Sequence, residues 1–217
     1  MIRTVIFDFD GVILESMEIK TEAFLHLFHD QPEDVQRRIV RLHRENGGMS
    51  RYEKFKRIYR DFLRWELDPA ELGRLDAEFS RFCRERILVA PFVKGAREFL
   101  ASYHREYPLY VVSGTPEAEL RMILEARDLA RYFRGIWGAP TEKAEACRQI
   151  VAASGLAPAE VVFVGDAVTD LEAARRSGVH FIARLDGSEG NPLEHRRLRV
   201  RVADLSRLHK VLVECFP

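Results

Sequence analysis

A chain of 217 residues, 47% hydrophobic and 31% charged, holds enough apolar material for one large domain or two modest ones. Its formal net charge of zero argues against a dedicated nucleic-acid or membrane-surface binder, and no apolar run approaches the length of a membrane span. Cys83, Cys147 and Cys215 are far apart, odd in number and lack a CxxC spacing, so neither a disulfide framework nor a zinc site is expected. A lone Arg3 before a short apolar run broken by Asp8 and Asp10 makes a poor signal peptide, and a cytoplasmic location is the default expectation.

Residues 2–9, with Ile2, Val5, Ile6, Phe7 and Phe9, predict a buried strand that stops at Asp8, Asp10 and Gly11. From Glu15 the pattern becomes helical. Met17, Ile19, Ala23, Phe24, Leu27 and Phe28 share one face over residues 15–29, and Pro32 opens a second helix that runs to about Leu42 and breaks at Asn46-Gly47-Gly48. Ser50-Arg51-Tyr52-Glu53 has capping-box form and starts a helix whose buried stripe is Tyr52, Phe55, Ile58, Tyr59 and Phe62. Asp68-Pro69 begins a fourth, carrying Leu72, Leu75, Phe79 and Phe82.

Beyond Pro91, strand and helix alternate. Helices are expected over residues 94–104, 116–127 (with Pro116 as first helical residue), 142–153 and 168–177, and strands over 109–112, 135–138, 161–164 and 179–183. The tail reads as a weak strand over 198–202 and a helix from about Leu205. The fold class is therefore α/β, a Rossmann-like parallel sheet built from residues 1–14 and 91–217, interrupted by a helical cap over 15–90.

Three apolar runs end in polar residues: at Asp8, at Ser113, and at Gly165-Asp166. Open parallel sheets bind ligands outside the carboxyl ends of their strands, which gathers these side chains at one edge. Asp170, four residues after Asp166, can point back to the same place. Carboxylates so crowded need a cation, and all-oxygen ligation suits a hard divalent ion, Mg²⁺ above all. Such a site handles anions, and phosphate is the obvious one. Ser113, Gly114 and Thr115 offer hydroxyls and backbone N–H groups before a helix, and Lys143 offers a cation to hold a phosphoryl oxygen. Taken singly, each has a structural alternative: an Asp-Gly turn, a Ser cap, a solvated lysine.

In order, Asp8-Phe9-Asp10-Gly11-Val12, Val112-Ser113-Gly114-Thr115, Lys143, and Val164-Gly165-Asp166 with Asp170 resemble the four motifs of the haloacid dehalogenase-like (HAD) hydrolases, and within them the phosphoglycolate phosphatase and β-phosphoglucomutase-like branch. The resemblance spans almost the whole chain. It implies Asp8 as the nucleophile that forms an aspartyl-phosphate, Asp10 as acid and then base, and Ser113 and Lys143 as holders of the phosphoryl group. It implies Mg²⁺ on Asp8, the Asp10 carbonyl and Asp166, with Asp170 binding it directly or by holding a ligand in place. The dehalogenases lack the second Asp of the first motif, so Asp10 favours phosphoryl transfer over carbon–halogen cleavage.

Substrate choice is expected in the helical segment. Residues 36–64 carry ten Arg or Lys against Glu45, Glu53 and Asp61, which suits an anionic substrate or simply a solvated face. Gly48-Met49-Ser50-Arg51 resembles a cap loop of β-phosphoglucomutase that places an Arg over the substrate phosphate, but Lys20 stands where that enzyme has His. The leading expectation is a phosphatase acting on a small phosphorylated metabolite such as a sugar phosphate or phosphoglycolate, with no nucleic-acid partner and no membrane. A phosphosugar mutase is the alternative within the same chemistry. A nucleic-acid or protein-binding module using the basic stretch is the alternative outside it.

Overall fold

The computed structural model describes residues 1–187 and 191–216. Six strands, β1 (Thr4–Phe7), β2 (Leu109–Pro116), β3 (Phe133–Ala139), β4 (Val161–Gly165), β5 (His180–Arg184) and β6 (Arg201–Val202), form one sheet in the order β3-β2-β1-β4-β5-β6. Every neighbouring pair is parallel. Helices α1 (Met17–Leu27), α2 (Glu33–Glu45), α3 (Arg51–Arg57), α4 (Pro69–Val89) and α5 (Ala96–Tyr103) all lie between β1 and β2. The later helices, α6 (Glu117–Ala126), α7 (Lys143–Ser154), α8 (Val168–Ser177) and α9 (Leu208–Cys215), each follow a strand. The expected parallel α/β fold is what the chain adopts. Among the described residues no helix is long and apolar enough to cross a membrane.

β1 and β4 are buried along their whole length, as continuous apolar strands at the centre of a doubly covered sheet must be. Their register pairs Val5 with Val162, Ile6 with Phe163 and Phe7 with Val164. The period of two then sorts side chains by face. Val5, Phe7, Val162 and Val164 pack with residues of α5, α6 and α9, whereas Ile6, Val161 and Phe163 pack with Ala146, Cys147 and Ile150 of α7 and Ala173 and Ala174 of α8. Because the strand order turns back on either side of β1, the crevice at its carboxyl end lies between β2 and β4.

The helical segment contributes to the same core. Phe24, Phe55 and Phe79 meet in an aromatic cluster with centroids 5.0 to 6.1 Å apart. This cluster continues into Phe9, Ile13 and Leu14 below it.

The elements depart from expectation in four places, each for a local reason. The first strand ends at Phe7, since the Phe9 carbonyl turns to accept the amides of Val12, Ile13 and Leu14. The helix begun at Ser50 keeps its cap bond to the Glu53 amide, but Glu53 pairs with Lys56 instead of completing the box. That helix then widens into a π-helical turn at Ile58–Leu63, closed by Arg64 in the left-handed region (φ 61°). Pro116 ends β2 opposite Ala139 and is the cap of α6 rather than its first residue. In the tail only Arg201–Val202 pairs, and α9 waits until Leu208, because Asp204 holds Ser206 in a turn.

Candidate active site

The carboxyl ends of β1, β2 and β4 bring Asp8, Ser113 and Asp166 to one edge of the sheet, and α8 presents Asp170 from its first turn. Oxygens of Asp8, Asp166 and Asp170 all lie within 4.8 Å of one another. Gly11 makes this approach possible: its φ is +72°, and a side chain there would run into the Asp166 carboxylate. Asp8 is fixed from two sides, accepting the Phe9 amide at 2.7 Å and the Lys143 ammonium at 2.8 Å. Lys143, the first residue of α7, also donates to Asp170 at 2.6 Å. The second Asp170 oxygen accepts the Ala167 amide at 3.1 Å, which closes the start of α8.

Burial raises the Asp8 pKa to about 7; Lys143 opposes that rise, and Asp170 and Asp10 add to it. Burial, with Asp8 and Asp170 beside it, also holds Asp166 well above the ordinary carboxylate range. Three carboxylates facing a single ammonium leave two negative charges over. A divalent cation cancels that excess, and oxygens bound to one Mg²⁺ at about 2.1 Å sit roughly 3–4 Å apart, within a small contraction of the observed cluster. The donor set therefore fits Mg²⁺.

Asp10 has a different setting. Ser16 donates to its Oδ1 at 2.6 Å, and the Thr115 hydroxyl donates to Oδ2 at 2.9 Å. The Lys20 ammonium lies against the same Oδ2 and also donates to Thr115 at 2.8 Å. Burial alone would raise the Asp10 pKa, but the Lys20 charge and the bonds from Lys20, Ser16 and Thr115 outweigh it and hold the group below its ordinary value. Two acids separated by one residue thus sit in opposite electrostatic environments, the usual sign of different roles.

Ser113 is buried and accepts the Thr115 amide at 3.1 Å, with Gly114 between them under the Gly48 carbonyl. Arg51 lines the same small cavity, but its charge is already engaged: Nε donates to Asp76 at 2.6 Å, and Nη2 contacts Ser80 at 2.7 Å and Glu119 at 2.8 Å. The basic residues Arg37, Arg41 and Arg44 line a neighbouring cleft of about 750 Å³ that reaches Asp166. Each pairs with an acid on the surface: Glu33, Glu45 and Glu18 respectively.

Three residues matter here that motif reading does not single out, Ser16, His43 and Lys54, and Lys20, noted in the sequence only as standing in place of a His, gains a role beside Asp10. Lys20 lies one turn into α1, so its reach to Asp10 and Thr115 depends on how that helix meets the sheet. Lys54 and His43 come from different helices and meet at 2.9 Å. The spacing of Lys54 one helical turn after Arg51 was the single sequence signal available for it.

The family model for haloacid dehalogenase-like hydrolases matches residues 2–178. Among curated proteins, a phosphoglycolate phosphatase of Synechococcus elongatus is 26% identical over 193 residues, covering 83% of this chain and 82% of the relative. A 5'-nucleotidase of Pseudomonas aeruginosa is 28% identical over 224 residues, covering 96% and 94%. Among solved structures, a β-phosphoglucomutase of Clostridium difficile superposes with a TM-score of 0.79 at 18% identity, covering 100% of this chain and 97% of that one, a likeness of fold. With its four motifs gathered at one sheet edge and its family model matched over most of its length, the chain belongs to the haloacid dehalogenase-like hydrolases.

Proposed function

We propose that the chain is a Mg²⁺-dependent phosphatase that hydrolyses a small phosphomonoester through an aspartyl-phosphate on Asp8. The observation that carries this reading is the pairing of a fixed carboxylate, Asp8, with a second acid, Asp10, in the opposite electrostatic setting two residues on. The relatives named as a phosphoglycolate phosphatase and a 5'-nucleotidase support phosphomonoester chemistry. In this reading residues 1–14 and 91–217 form the catalytic core, and residues 15–90 form a cap over it.

Asp8, Asp166, the Asp10 carbonyl and Asp170 would hold Mg²⁺, which when bound supplies positive charge to a phosphoryl oxygen and removes the repulsion between nucleophile and substrate. The Asp8 carboxylate, oriented by Phe9 and Lys143, attacks phosphorus; the new Asp8–phosphorus bond forms as the bond to the leaving oxygen breaks. Lys143 and the Ser113-Gly114 segment steady the phosphoryl oxygens. Asp10 delivers a proton to the departing oxygen. It takes up that proton from solvent when a dianionic phosphoryl group stands beside it, because the approaching negative charge raises its proton affinity against the pull of Lys20. Asp10 then takes a proton from the water that cleaves the aspartyl-phosphate and releases it to solvent as phosphate leaves, which returns the enzyme to its starting state.

Release of phosphate from p-nitrophenyl phosphate tests the proposal. Turnover is expected to require Mg²⁺, to stop on chelation, and to fall by more than about 10³ in Asp8→Asn, which cannot act as the nucleophile. Activity that survives either the chelator or Asp8→Asn sinks the reading.

A further inference from the structure

Beyond the residues that face the phosphoryl group, the cavity has a second cationic pole. Lys54 in α3 is only 2% exposed, and it lines the cavity together with Asp8, Asp10, Lys20 and Ser113. Its hydrogen-bond partners are both neutral: His43 Nδ1 at 2.9 Å and the Gly47 carbonyl at 3.4 Å. Burial and the neighbouring Lys54 and Lys20 charges push the His43 pKa well down, so the imidazole is uncharged and its Nδ1 accepts from the ammonium. Lys54 forms no ion pair with any described residue.

Other cations around the cavity are matched. Arg51, one turn earlier in α3, is neutralised by Asp76 and Glu119. Lys20 lies against Asp10, and Lys143 is shared by Asp8 and Asp170. Lys54 is the one cavity lysine whose charge meets no carboxylate among the described residues. A buried ammonium with only neutral partners is unfavourable unless something else supplies the opposing charge. The adjoining wall is apolar, made by Phe24, Met49 and Phe79. The free space is small, about 30 Å³, room for a water or two, so a substrate enters only as the surrounding helices give way, and a short one asks for the least movement.

Building on the phosphatase reading, we infer that Lys54 binds a second anionic group on the substrate's leaving portion, a carboxylate or a second phosphate on a short spacer. The substrate class is then a small phosphomonoester with an anion at each end. One end meets Lys143 and Ser113, and the other meets Lys54. Nucleoside monophosphates and neutral sugar phosphates lack the second anion and leave Lys54 unpaired.

The test compares kcat/KM across phosphomonoesters with and without a second anion. Phosphoglycolate gives the carboxylate arm and propane-1,3-diol bisphosphate the phosphate arm, with methyl phosphate and a nucleoside 5'-monophosphate carrying no second anion. The wild-type enzyme is expected to favour one of the first two by at least about 30-fold, the arm preferred identifying the anion. In Lys54→Met that ratio collapses toward one, and the loss falls mainly on KM for the two-anion substrate. Wild-type rates without preference, or a preference that survives in Lys54→Met, overturn the inference while leaving the phosphatase reading intact. The wild-type panel decides between preference and none even if the variant misfolds. Failure to hydrolyse any member, p-nitrophenyl phosphate included, overturns both.

Discussion

Lys54→Met is expected to stabilise the ligand-free protein, and by an amount that depends on pH. Methionine keeps the length and flexibility of the lysine stem and removes only the buried charge. Burial, reinforced by Lys20 and Lys143, lowers the Lys54 pKa from 10.5 to about 7, although Asp10 and Asp166 act in the other direction. In the unfolded chain the amine keeps its proton up to its ordinary 10.5, so between about 7 and 10.5 the unfolded state binds more protons and wild-type stability climbs with pH. Below about 7 both states are charged, and the folded state bears the full penalty of the buried ammonium. At about 1.4 kcal/mol per pH unit, that span corresponds to on the order of 5 kcal/mol. Partial lifting of α2 and α3 would let water reach the amine, which makes this an upper figure. Urea unfolding at pH 6.5, 8.5 and 10.5 measures the effect directly. The variant should be more stable at pH 6.5, with a gap that narrows at 8.5 and closes by 10.5. A variant less stable at pH 6.5, or a gap that does not change with pH, refutes the reasoning.

Asp10→Asn is expected to bind Mg²⁺ within about threefold of wild type by titration calorimetry, since its proposed ligand is a backbone carbonyl, while turnover falls by about 10²–10⁴. A collapse of Mg²⁺ affinity in that variant contradicts the assigned role. Gly11→Ala forces the loop off its φ of +72° and pushes on the Asp166 carboxylate, so Mg²⁺ affinity should drop by about 10- to 100-fold. Phe79→Ala removes a ring that touches both Phe24 and Phe55 and should destabilise the protein by about 3–5 kcal/mol, read from the denaturation midpoint.

Much of the fold was legible because its signals are local. The apolar runs ending at Asp8, Ser113 and Asp166 marked both the central strands and the sheet edge where ligands bind, and Ser50 and Asp68 marked helix starts that the structure keeps. The π-helical turn at Ile58–Leu63 left no trace in the pattern, because one stripe of apolar residues serves a regular helix and a widened one equally well. The site divides along the same line. Residues inside motifs could be named from their order, and Asp8, Lys143 and Asp170 do meet at hydrogen-bond distance. Arg51 shows the limit of that method: a motif names the guanidinium but not the acids opposite it, and Asp76 and Glu119 lie 25 and 68 positions further along the chain. Lys54 and His43 form a pair only because the fold brings one side chain of α2 to one of α3, which no spacing encodes.

The contact between Lys20 and Asp10 joins the inserted helices to the sheet. Lys20 rides on α1, and Asp10 is anchored beyond β1 beside Thr115 of the sheet. The acidity of Asp10 is therefore a function of distance as well as of solution pH. Were α1 to tilt away, the carboxylate would lose the charge that depresses its pKa and could load a proton from water; on its return, that proton would be driven off toward whatever oxygen stands next to it. Movement of α1 would then time the proton's delivery to the moment the cavity shuts.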